Sequence, residues 1–291
     1  MGGQRSRLKR PVDTIELSRN RFLDYGVLVR TWNVFHGNTK PPQRRAFLEE
    51  MVRLAVADRP ELVCLQEVPP WAFRHLSDWS GMTSIADVAS RPLLVSAELG
   101  RAITELNHGL FRSLVTGQGN AILIARTLRV VDHDTIVLNP RAFRRMQATS
   151  LHLGLLARLA WARERRICQA VRVRRESGET LLVANLHATN ARDPRVPDAE
   201  LFRAATFADA VATRGEPIVV AGDFNVSVAQ SRTLHALTSS EWRFEGPTPH
   251  GIDHVLVRGL DAGPAAVWPV ERRTTQHGVL SDHAPVDREL A

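Results

Sequence analysis

The chain has 291 residues, 44% of them hydrophobic, which suits one large domain with a sizeable core. Two cysteines exclude a disulfide framework, and no stretch of about 18 apolar residues is present to cross a bilayer. The net charge of +7 rests almost wholly on arginine, since only Lys9 and Lys40 are lysines. That skew follows from genome composition as readily as from a polyanionic partner.

Residues 1–25 read as a basic, poorly ordered arm with a short helix over 14–21. The arm has no apolar core of the kind a secretory signal carries, so a cytoplasmic protein is expected. Residues 27–33 are β-branched and aromatic and form a strand ending in Asn33. Pro41 and Pro42 suit a helix start, and Phe47, Met51, Leu54 and Ala55 follow at helical spacing. A second strand over 62–65 contains Cys64, expected as a buried thiol, and runs into Gln66 and Glu67. Residues 71–79 and 97–114 read as helical, whereas 81–96 carry no clear pattern.

Strands are predicted over 121–125 and 130–138. From Asn139 to Arg175 ten arginines face the single acid Glu164, a local excess of +9 able to attract a phosphate backbone. A helix over 150–165 is expected there, with Leu151, Leu155, Leu159 and Ala162 as its apolar stripe. Strands over 170–174 and 181–186 flank a hairpin turn at 176–179, and an amphipathic helix spans 199–212. A further helix lies near 231–237, and strands follow near 252–257, 266–270 and 284–290.

Residues 217–225 are the focal stretch, because an apolar strand runs into Gly222-Asp223-Phe224-Asn225. In a strand, residues i and i+2 share a face, so Asp223 and Asn225 can converge on one point. Polar residues end other apolar runs as well: Asn33, Glu67, His187, Asp253 and the Ser281-Asp282-His283 turn. Strands joined partly by helices and partly by hairpins predict mixed sheets in an α/β sandwich, one domain over 26–291. His254 reads as a packing residue, and His36, His250 and His277 as ordinary surface or loop histidines.

The ordered set Thr31-Trp32-Asn33, Leu65-Gln66-Glu67, Gly119-Asn120-Ala121-Ile122-Leu123, Asn185-Leu186-His187, Gly222-Asp223-Phe224-Asn225, Ile252-Asp253-His254 and Ser281-Asp282-His283-Ala284-Pro285 resembles the endonuclease/exonuclease/phosphatase superfamily. The resemblance implies a four-layer α/β sandwich with two facing mixed sheets flanked by helices. It also implies phosphate-ester hydrolysis with a divalent cation, usually magnesium, with manganese as the alternative. Glu67 matches the metal-ligating glutamate, Asn33 would orient it or the metal, and Asp282 could add a ligand directly or through water. Asp223 matches the residue that positions or deprotonates the attacking water, and Asn225 a donor to a phosphate oxygen. His283 matches the histidine on the scissile phosphate, Asp253 its orienting carboxylate, and His187 a second histidine that steadies charge or protonates the leaving oxygen. Phe35 stands where the abasic-site branch has an acid, which argues against that branch.

A nuclease acting as a monomer is the first expectation, on DNA more than RNA. Asn120, Arg141, Arg144, Arg145, Arg165 and Arg166 are the candidate phosphate or nucleic-acid contacts. A phospholipid or small phosphoester is the alternative substrate, and a non-catalytic binding module the third reading.

Overall fold

A computed structural model describes residues 26–43, 45–90 and 117–291. The expected arm over 1–25 and the helix over 97–114 lie outside these residues. The strands are β1 (Val27–Asn33), β2 (Thr39–Lys40), β3 (Leu62–Val68), β4 (Thr83–Ser90), β5 (Gln118–Ile124), β6 (Arg129–Val137), β7 (Ile167–Arg174), β8 (Thr180–His187), β9 (Ile218–Asp223), β10 (Asp253–Arg258), β11 (Ala266–Val267), β12 (Thr274–Thr275), β13 (Gly278–Leu280) and β14 (Val286–Leu290). The helices are α1 (Leu48–Ala55), α2 (Leu76–Ser80), α3 (Arg141–Ser150), α4 (Leu155–Ala162), α5 (Arg195–Val211) and α6 (Arg232–Leu237).

One sheet has the order β11-β14-β1-β3-β5-β4 and the other β10-β9-β8-β7-β6, with a small β12-β13-β2 sheet at one end. Each large sheet is mixed: β1–β3 and β8–β9 are parallel pairs among antiparallel neighbours. The continuous apolar runs have a direct physical cause, since their strands are covered on both faces. In β3, Leu62 and Cys64 meet the second sheet, while Val63 and Leu65 pack under α1 and α2. In β9, Val219 and Ala221 point to the first sheet, and Ile218 and Val220 lie under α5 and α6. These alternations build the expected four layers. No described helix is long and apolar enough to cross a membrane.

Polar groups also lie between the sheets, and they are paired. Asn185 Nδ2 donates to the carbonyls of Leu65 and Ala121, both at 3.0 Å, and Asn185 Oδ1 accepts from Gln66 Nε2 at 2.8 Å. Arg30, fully buried in β1, donates through both arms of its guanidinium to Asp58 and Asp287. Cys64 is buried as expected, and burial pushes its thiol up to about 12.

Four expectations are corrected. Residues 83–90 form β4, whose pattern is masked by Asp87: this carboxylate points between the sheets and accepts from Gln169 Nε2 at 2.9 Å. Pro41 and Pro42 do not start a helix, because α1 begins only at Leu48. The strand expected over 266–270 is only the two-residue β11, followed by a short helical turn.

The arginine-rich helix is two helices, α3 and α4, broken between Leu151 and Gly154. The break changes which face is buried. Leu153, Ala157 and Trp161 pack inward with Phe143 and Val196, while Leu155, Leu156 and Leu159 are 71%, 82% and 58% exposed.

Two predictions concern this framework. Asn185→Leu removes the side-chain donor to two buried carbonyls and one acceptor of the Gln66 amide, and should cost about 2–4 kcal/mol in urea unfolding. The Arg30 hydrogen bond, first among its causes, holds the Asp58 carboxyl well below its ordinary value. Its contribution is therefore present above that ordinary value and lost as pH falls toward the folded one. The stability gap between wild type and Asp58→Asn should start to narrow below about pH 5 and go on narrowing down to about pH 2.

Candidate active site

Strand register assembles most of the site before any side chain is considered. His187 on β8 lies opposite Asp223 on β9, and Asp223 lies opposite Asp253 on β10. One end of the second sheet thus presents imidazole, carboxylate and carboxylate in a row. Gly222, at φ 144°, permits this: a Cβ there would sit 1.9 Å from the Leu186 carbonyl oxygen. In the first sheet Asn33 ends β1 beside Gln66 of β3. Glu67 follows in a bulge where the β3–β5 register shifts between Leu65 and Val68, at φ 56°. Asn225 and Ser281 also hold left-handed backbone, at φ 51° and 61°. Such conformations cost roughly 1–3 kcal/mol each and persist where surrounding structure fixes them.

The two sheets meet through Asn33. Its Nδ2 donates to Glu67 Oε1 at 3.2 Å and to Asp223 Oδ2 at 3.0 Å. His187 Nε2 lies 3.7 Å from Glu67 Oε1 and 3.5 Å from Asp223 Oδ2. His283 Nδ1 pairs with Asp253 Oδ2 at 2.8 Å, leaving Nε2 3.8 Å from Asp223 Oδ2. The His283 turn is tied to β1: Ser281 Oγ donates to the Asn33 carbonyl and accepts from His283 N, and Trp32 Nε1 donates to the His283 carbonyl.

These surroundings separate the protonation states. Burial, then the Asp253 charge, push the Asp223 carboxyl up to about 7 against the pull of His283 and Asn33. Burial alone would lower His283, but its hydrogen bond to Asp253 and the nearby carboxylates raise it to about 10. Burial first, then Arg166 and the neighbouring imidazoles, hold His187 well below its ordinary range. Near neutrality the site therefore offers a cationic His283, a neutral His187 and a carboxyl able to exchange a proton.

Other expected residues are placed differently. Asn225 donates from its backbone N to Asp223 Oδ1 at 3.0 Å and from Nδ2 to the Ala188 carbonyl at 3.0 Å, so it braces the loop beside the site. Asn120 is buried with its amide directed at the carbonyls of Ile167 and Asn185, 3.4 and 3.5 Å away. Asp282 Oδ2 lies 3.9 Å from Lys40 Nζ. Arg166 reaches the site, with Nη1 within 3.1 Å of both ring nitrogens of His187 and Nη2 on Glu164 Oε2 at 2.7 Å. Arg144 donates to the Asn139 carbonyl and Arg165 to the Val88 and Ala89 carbonyls, so both help to hold the fold. Arg141 and Arg145 are exposed on α3.

His36 corrects the sequence reading. It is buried, and its Nε2 lies 3.3 Å from Glu67 Oε2. No periodicity marks it, because a turn with Phe35 and His36 both at positive φ carries its ring inward. His254 is a packing residue as read: Nδ1 accepts from Thr248 N, Nε2 meets the Val226 carbonyl, and the ring lies against Phe224.

The oxygen-rich donors suit a hard divalent cation. The Oδ1 atoms of Asp253 and Asp282 are buried and have no hydrogen-bond partner. Donor atoms of Asp223, Asp253 and His283 lie within 4.8 Å of one another. His283 is cationic in its pair with Asp253, so this trio is better suited to moving protons, and Glu67 with Asn33 better suited to a cation.

Comparison with known proteins bears on the fold and the family. No curated protein matches the sequence. An endonuclease/exonuclease/phosphatase from Bacteroides vulgatus superposes with a TM-score of 0.64 at 16% identity, covering 92% of this chain and 99% of that one. TDP2 from C. elegans gives 0.58 at 14%, covering 91% and 75%. The human Nocturnin catalytic domain, solved with bound sulfate, gives 0.57 at 16%, covering 91% and 94%. Identities this low speak for the fold alone. The sequence profile described as the Endonuclease/Exonuclease/phosphatase family matches residues 31–283, and the chain belongs to that family.

Proposed function

We propose that the chain is a divalent-cation-dependent phosphodiesterase whose substrate is nucleic acid, DNA ahead of RNA, and that it works as a cytoplasmic monomer. The observation that carries this reading is the bridge from Asn33 to both Glu67 and Asp223, with the His283–Asp253 pair beside it. Magnesium or manganese would be held by Glu67, which Asn33 orients through its Nδ2, with Asp282 directly or through water. When bound, the cation supplies positive charge to the phosphate and lowers the pKa of a nearby water.

Asp223, poised near 7, accepts the proton of the attacking water while Asn33 and the Asn225 backbone hold its carboxylate in place. His283 keeps its Nδ1 proton on Asp253 and turns its Nε2–H toward the phosphoryl oxygens, where negative charge grows in the transition state. His187, kept neutral beside Arg166, orients the phosphate. Lipid or small-molecule phosphodiesters are the second reading, favoured by the exposed Leu155, Leu156 and Leu159 beside arginines.

A plasmid, an oligonucleotide and a fluorogenic phosphodiester assayed side by side test the substrate class. A chelator should abolish turnover and added magnesium or manganese restore it. Asp223→Asn should lower kcat by about 10³-fold or more with unchanged thermal melting. Equal turnover in wild type and Asp223→Asn would refute the assignment. In Asp253→Asn, histidine NMR titration should show His283 falling from about 10 toward or below its ordinary range, because burial is then opposed by fewer charges.

A further inference from the structure

The geometry points to His36 as a nitrogen ligand of the cation beside Glu67, giving this site a preference for a borderline first-row ion such as manganese over magnesium. The inference rests on the proposed placing of a cation at Glu67 and concerns which ion that is. His36 Nε2 and Glu67 Oε2 are 3.3 Å apart. Two ligands each about 2.1 Å from one ion and at about 90° to each other are roughly 3.0 Å apart, so the spacing suits a shared ion. The ring is buried, and the turn that carries it is built for that position. Phe35 and His36 sit at φ 47° and 53°, and the turn is pinned by Phe35 N on Asn33 Oδ1 at 2.9 Å, Gly37 N on Val34 O at 2.7 Å and Asn38 N on Phe35 O at 2.9 Å. Gly37, at φ 85°, closes it against Leu48, whose atoms a Cβ would meet at 3.1 Å.

The same Asn33 side chain therefore anchors the His36 turn through Oδ1 and the Glu67 carboxylate through Nδ2. Strained backbone held by hydrogen bonds at a site is the usual mark of a functional constraint. Magnesium takes oxygen ligands and sheds water reluctantly, whereas first-row transition ions accept imidazole readily. A simple His36–Glu67 ion pair is the rival reading, and the experiment separates the two.

Calorimetric titration of the full chain with manganese and with magnesium would be run on wild type, His36→Ala, His36→Asp and Glu67→Gln, with thermal melts of each. Electron spin-echo spectra of the manganese-loaded wild type and His36→Ala would report directly bound nitrogen. Wild type should bind manganese about tenfold or more tighter than magnesium. His36→Ala should lose about tenfold or more in manganese affinity, keep its magnesium affinity, and lose the nitrogen coupling. His36→Asp, which exchanges nitrogen for oxygen, should bring the two ions near parity. Unchanged manganese affinity and nitrogen coupling in His36→Ala would overturn the inference while leaving the Glu67 reading intact. Wild-type affinity in Glu67→Gln would overturn the Glu67 placement instead, and no ion binding by wild type would overturn both.

Discussion

Two carboxylates from different sheets approach one another at the rim of this sandwich, and Asn33 makes that approach tolerable. Glu67 and Asp223 belong to separate hydrogen-bonded ladders, and nothing in the backbone of either sheet sets their separation. A single amide donating to both fixes it. Burial still raises the affinity of Asp223 for a proton, and the cationic His283 opposes that rise only in part. The outcome is a carboxyl that can change charge near neutrality, flanked by an imidazole that keeps its own. Environments that drive neighbouring titratable groups apart are how one site comes to hold both an acid and a base.

The backbone around these groups is held by packing and hydrogen bonds instead of by local preference. Glu67 and Ser281 adopt left-handed conformations that neither residue type favours, and each is locked by contacts reaching across the chain. Asn185, Gln66 and Thr31 join the facing sheets just below the rim, so the position of Glu67 is tied to the second sheet as well as its own. Rigid strands with a polar tie between them suit a site that must hold charged groups in a narrow range of distances.

Much of this was legible in the amino-acid sequence because it depends on two simple regularities. Apolar runs covered on both faces mark β3, β8 and β9, and Asp, Asn or His at their ends marks the rim. Both the layered fold and the row His187, Asp223, Asp253 follow from those. What escaped had no period to reveal it. β4 hides behind a half-buried Asp87, whose partners Gln169 and Thr135 lie far along the chain. The stripe Leu151, Leu155, Leu159 and Ala162 has helical spacing, yet a break at residues 151–154 rotates α4 so that Trp161 is buried and Leu155 and Leu159 face out. Trp161 settles that rotation by donating to Glu200, a buried acceptor no local pattern announces. His36 was passed over because only a turn of unusual backbone brings it inward. Within the arginine excess, Arg144, Arg165, Arg166 and Arg172 are engaged with carbonyls and carboxylates of the protein itself, partners that composition does not reveal.

The connection between β6 and β7 has a wider consequence. These strands are antiparallel neighbours, and a tight turn of a few residues would join them. The chain instead carries α3 and α4 across that gap, resting on the loop after His187 through Trp161, Glu200 and Thr189. Such an arm is topologically optional. Its length is set by neither strand ladder, so the two sheets place no limit of their own on how much chain this connection carries.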